Sequence, residues 1–158
     1  MKVLLVTTWD TACGIAEHSA MLKEAVEKAD PEIAIIPDVD ALDPRHDCVR
    51  SIVHDPPDTH GISIVHLNYH AALHSRWTPA EVQRLREAGQ KVVVTYHDTG
   101  VPNSEQCLSV LRAADAGVVH ESCPDIQDDP SLREKVRYWR QGILTPRLFP
   151  DETAKLSY

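Results

Sequence analysis

Nowhere in these 158 residues is there an apolar run near the ~20 residues that a membrane-spanning helix needs. The early run Val3-Leu4-Leu5-Val6 is too short for the hydrophobic region of a signal peptide, and Asp10 follows it closely. A cytoplasmic location is therefore expected. Positive charge is scarce as well: 16 Lys and Arg stand against 24 Asp and Glu, a formal balance of −8. A field of that sign argues against general nucleic-acid binding and against an anionic membrane surface. The four cysteines, Cys13, Cys48, Cys107 and Cys123, form no C-x-x-C pair, which fits reduced thiols better than a disulfide frame or a zinc site. Glycine is limited to six residues, and neither G-x-G-x-x-G nor G-x-x-x-x-G-K-[ST] occurs. Both the dinucleotide fingerprint and the P-loop are thus missing.

What is present describes a globular chain. Hydrophobic residues make up 42% and charged residues 25%, a balance that can fill a core without disulfides or metal. The length matches one ordinary domain and is short for a two-domain enzyme. Nine histidines stand out, because an unperturbed imidazole titrates near pH 6.5.

The hydrophobic pattern reads as alternating strands and helices. Lys2 to Thr8 is a continuous apolar and β-branched run, the signature of a strand buried on both faces. Ile15, Ala16, Met21, Leu22, Ala25, Val26 and Ala29 then recur at helical spacing, closed by Asp30-Pro31. Glu32 to Ile36 reads as a second strand stopped by Pro37. The stretch from Asp38 to His60 is rich in proline and aspartate and reads mostly as loop, with a short strand around Val49 to His54. Ile62 to His66 is the next strand. Thr78-Pro79-Ala80-Glu81 supplies an N-cap, a proline at N1 and a capping-box glutamate for a helix that ends at Gly89. Lys91–Tyr96 is a strand, about Ser104–Ala113 a helix, Ala116–His120 a strand, Ser131–Lys135 a helix and Val136–Trp139 a short strand. The expected fold class is α/β, a doubly wound parallel sheet in a single domain over residues 1–145, with a linker-like tail at 146–158.

Open parallel sheets bind ligands beyond the carboxyl ends of their strands. The loops to search are therefore Thr8–Gly14, His66–Trp77, His97–Asn103 and His120–Pro124. The first joins a strand to a helix N-terminus, where free N–H groups favour an anion; a plain βα turn is the equal alternative. His66, His70 and His74 have i, i+4, i+8 spacing, but only a helix would turn that into a metal face, and His66 ends a strand. No metal ligand is assigned on that ground. His97-Asp98 directly follows a strand and suits acid, base or hydrogen-bonding work, against a structural histidine bonded to backbone. His120-Glu121 repeats the arrangement one strand later, and Cys123 reads as an inert thiol.

Five segments, in order, resemble the N-terminal half of GT-B glycosyltransferases of the large retaining family 4 type. They are Lys2-Val-Leu-Leu-Val-Thr-Thr with Gly14-Ile-Ala-Glu-His-Ser-Ala, then Ile64-Val-His66, and Val92-Val-Val-Thr-Tyr-His97-Asp98. Ala114-Asp-Ala-Gly-Val-Val-His120 and Arg140-Gln-Gly142-Ile143 complete the set. The resemblance implies a Rossmann-like acceptor-side domain. It implies that Gly14, with its neighbours Thr11, Cys13, Ile15 and His18, faces donor phosphates, and that His97 and Asp98 are the catalytic contacts. Substrate contacts are further expected from Asn68, Tyr69, His70, His120, Glu121 and Gly142.

The family's donor-binding half carries a Glu-x7-Glu motif. Glu24 and Glu32 match its spacing but fall on the first helix and second strand. The leading expectation is therefore an acceptor-binding half of a hexosyltransferase-type enzyme. It would use a UDP- or GDP-sugar as co-substrate, bind no cofactor alone and act on a sugar or glycan acceptor. A C-terminal donor-binding domain or separate subunit would complete it, and a weak homo-oligomer is a further expectation. The alternatives are a non-catalytic glycan or small-ligand binding module and, more remotely, a metal-dependent hydrolase built on the histidine-rich loops.

Overall fold

A computed structural model describes residues 1–9, 14–38, 61–70, 77–97, 105–120 and 124–139. The elements in chain order are β1 (Lys2–Val6), α1 (Gly14–Ala29), β2 (Ala34–Asp38), β3 (Ile62–Tyr69), α2 (Pro79–Glu87) and β4 (Lys91–Tyr96). They continue with α3 (Glu105–Ala113), β5 (Ala116–Val119), α4 (Pro124–Asp128), α5 (Pro130–Lys135) and β6 (Val136–Tyr138). The six strands form one sheet in the order β2-β1-β3-β4-β5-β6, every adjacent pair parallel. The fold is the expected Rossmann-like, doubly wound α/β sheet. Strand order reverses between β1 and β3, which makes that seam the switch point of the sheet.

The two faces are unequal. Alternate residues Leu4, Val6, Val65, Leu67, Val92 and Val94 point into a large core with Val82 and Leu85 of α2, Leu108 and Leu111 of α3, and Leu132 of α5. On the opposite face Val3, Leu5 and Ile35 meet Leu22 and Val26 of α1. Among the described residues α1 is the helix on that side. Gly117 lies on the large-core face, where an added Cβ would come within 2.8 Å of Leu111 Cδ2 and 3.1 Å of Val136 Cγ2. The missing side chain lets α3 approach β5 closely.

Thr78 caps α2 by accepting from the Glu81 N–H at 3.4 Å, and Gly89 adopts the left-handed φ of 91° that an L side chain resists. The capping box is only half built, because the Glu81 carboxylate pairs with Arg84 at 2.9 Å. Other boundaries also differ from expectation. β2 begins two residues later and includes Pro37, which stands opposite Leu5. An edge strand tolerates this, since a proline N can face away from the ladder. The outward N–H of Ile35 is taken by Glu27 Oε1 at 2.9 Å and its carbonyl by Lys23 Nζ at 2.8 Å, both from α1. β3 runs three residues past His66, and α4 was not foreseen. The strand expected at Val49–His54, the Gly142 turn and the 146–158 tail lie outside the described residues. No helix among the described residues is long and apolar enough to cross a membrane.

Candidate functional site

The small-core face changes character toward the carboxyl ends of its strands. Following Val3 and Leu5, the alternation brings Thr7 to this face after β1; following Ile64, it brings His66 and Asn68 on β3. On β4 and just beyond it come Thr95 and His97, and His120 follows β5. One polar residue at every second position, at the end of four adjacent strands, makes a polar floor beside the first turns of α1. That helix contributes His18 and Ser19.

A chain of hydrogen bonds organises the floor. The Ser19 hydroxyl donates to the Ile15 carbonyl at 2.7 Å, so its oxygen accepts from Asn68 Nδ2, also at 2.7 Å. Thr7 Oγ1 shares a further hydrogen bond with Ser19. With its amide nitrogen committed, Asn68 turns Oδ1 toward His97, which donates from Nε2 at 3.4 Å. His66 Nε2 bonds to Thr95 Oγ1 across the β3–β4 ladder at 2.8 Å. His120 donates from Nδ1 to the Trp139 carbonyl at 3.0 Å, beyond β6.

Three of these rings meet. His18 lies edge-on to His97, with ring centroids 4.7 Å apart, and to His120 at 5.5 Å; His97 and His120 are 5.0 Å apart. Removal from water and the proximity of like groups disfavour the charged forms. His97 is held at about 3, first by burial and then by His18, His120, His66 and His70; His66 is held at about 4 by burial and then by His18. His18 is likewise pushed down, by burial and then by His120. Near neutral pH His18, His66 and His97 are therefore neutral imidazoles. Such rings can donate or accept hydrogen bonds, or ligate a metal through a lone pair.

Of the residues expected at the site, His18, Asn68, His97 and His120 come together, with Ile15 supplying the carbonyl that orients Ser19. Gly14 is the first residue of α1, exposed, without a positive φ and with open space where a Cβ would stand. His70 sits half-buried just past β3. Tyr69 is fully buried on the large-core face, its ring 6.1 Å from that of Tyr96. Extending β3 to Tyr69 moves it from a loop into a strand, where neighbours point to opposite faces. The same extension disposes of the His66–His70 spacing as a metal face, since residues four apart on a strand are about 13 Å apart. Thr11, Cys13, Asp98, Glu121 and Gly142 lie outside the described residues.

Sequence reasoning passed over Thr7, Ser19 and Thr95. The signal was there: Val65-His66-Leu67-Asn68-Tyr69 and Val94-Thr95-Tyr96-His97 alternate polar and apolar residues with the period of a strand.

No family model matches the sequence, and no curated protein matches it. Among solved structures, the chain is similar to one of a protein from Burkholderia pseudomallei provisionally described as pilus assembly-related. It is 15% identical, with a TM-score of 0.46 over 88% of this chain and 94% of that one.

Proposed function

We propose that the chain is the acceptor-side half of a nucleotide-sugar-dependent glycosyltransferase of the retaining GT-B type, completed by a donor-binding domain or subunit. One observation carries the reading. Three segments that resemble the family, Gly14–Ala20, Val92–Asp98 and Ala114–His120, are far apart in sequence, yet His18 with Ser19, His97 and His120 converge from them. They converge at the carboxyl edge of the sheet, where open α/β folds bind ligands. In this reading the N-terminal N–H groups of α1 face the donor's diphosphate and help to stabilise it as it leaves. His97, neutral and oriented by Asn68, offers the transferred sugar a hydrogen bond rather than a charge.

The test is sugar transfer from UDP- and GDP-sugars by the purified chain, alone and with the product of a neighbouring reading frame. The expected outcome is no transfer alone, and transfer in the pair that is lost in His97→Ala. Robust turnover by the chain alone would overturn the split-enzyme reading. With His97 Nε2 committed to Asn68 and His120 Nδ1 to the Trp139 carbonyl, the cluster also suits a binding module without chemistry. That alternative is separated by glycan or small-ligand binding that survives His97→Ala.

A further inference from the structure

We propose that His18, His97 and His120 form a site for one divalent transition-metal ion of the zinc type, with an open position for water or an anionic oxygen. The proposal is independent of the glycosyltransferase reading and stands or falls without it.

Each of the three side chains offers one ligand atom, and these atoms all lie within 4.8 Å of one another. Nitrogens around a tetrahedral zinc, each ~2.0–2.1 Å from the ion, stand roughly 3.4 Å apart, so small side-chain rotations close the triad. The rings come from three separate elements whose backbones are fixed: the second turn of α1, the end of β4 and the end of β5. No carboxylate or thiol among the described residues joins them. Three neutral imidazoles leave the ion its full charge and a vacant coordination position. This is the ligand pattern of a reactive zinc site rather than a closed structural one.

Two features point to an ion rather than to a plain histidine cluster. First, His120 is 94% buried by its 6% exposure, and its Nε2 has no hydrogen-bond partner among the described residues; the buried His18 Nδ1 is in the same position. Burying a polar atom without a partner is costly, and two such atoms in one cluster ask for a shared partner. Second, the outer bonds are those that orient metal-binding histidines. His120 gives its Nδ1 proton to the Trp139 carbonyl, which keeps the lone pair on Nε2. His97 gives its Nε2 proton to Asn68, whose orientation is enforced through Ser19 and the Ile15 carbonyl. The positive end of α1 beside the cluster disfavours a bare cation and favours one that carries an anion in its open position. A carboxylate or phosphate oxygen, or hydroxide, meets that requirement.

The experiment uses the whole chain, stripped with chelator and checked for its fold by circular dichroism. Calorimetric titration with Zn2+ should give one ion per chain, and Co2+ should give the intense visible bands of a four-coordinate nitrogen-rich site. His18→Ala, His97→Ala and His120→Ala should each weaken binding more than about tenfold, and Asn68→Ala by about 10–100-fold through loss of the outer bond. His74→Ala, from the 66/70/74 series, should leave stoichiometry and spectrum unchanged. A folded wild-type chain that takes up no stoichiometric Zn2+ or Co2+ overturns the proposal even if every variant fails to fold. So does binding that is lost in His74→Ala but kept in the three cluster variants.

Discussion

Imidazoles sharing a buried space carry a cost that pH controls. With His66 at about 4 and His97 at about 3 in the fold, and near 6.5 when unfolded, the unfolded chain binds protons first as pH drops. Their contribution is complete above pH 6.5 and is lost as pH falls from 6.5 through the folded values. His66 alone accounts for at most roughly 3 kcal/mol. Urea unfolding of metal-free protein should therefore show stability falling between pH 6.5 and 4, and His66→Gln should flatten that slope. Asp115, which burial would raise but which the Val92 N–H, Arg86 and Lys91 together hold below its ordinary value, acts in a lower window. A slope that begins only below pH 4 would assign the loss to such carboxylates instead. His97 and His120 are legible in the sequence because each stands at or just beyond the end of a predicted strand; Asn68 and Tyr69 cannot be told apart when β3 is read as stopping at His66.

Among the elements, β5 and α3 show how closely a strand and helix approach when one residue has no side chain. Gly117→Ala puts a methyl group against Leu111 and Val136, both buried, and such overpacking costs about 1–3 kcal/mol. Thermal melting should show the loss, and Gly117→Ala combined with Leu111→Ala should recover part of it. An unchanged melting temperature in the single variant would mean that the helix shifts freely. Element order was readable because buried parallel strands are short apolar runs bounded by turn signals, and α2 carried its cap and C′ glycine in plain view. Boundaries were harder. Proline normally ends a strand, yet Pro37 stays within β2 because the ladder needs no proton from it. α4 was hidden because five residues give no period to detect.

For the whole molecule, the contrast between the faces is the organising fact. One face is packed with α2, α3 and α5; the other, under α1, is apolar at the amino ends of the strands and polar at their carboxyl ends. Strand alternation alone could not reveal this division, because it depends on which helix returns to which side. The outer edge of β2 has a different consequence. Successive outward positions there present an N–H already held by Glu27, a carbonyl already held by Lys23, and then a proline with no N–H at all. An incoming strand would find no donor row to zip onto. Glu27→Ala with Pro37→Val should restore that row and raise light scattering near the melting temperature; equal scattering would show that other features keep copies apart. The sheet therefore has a sealed margin: crowded chains are kept from growing into fibres there, and association is steered toward faces and strand ends, where side chains rather than backbone choose the partner.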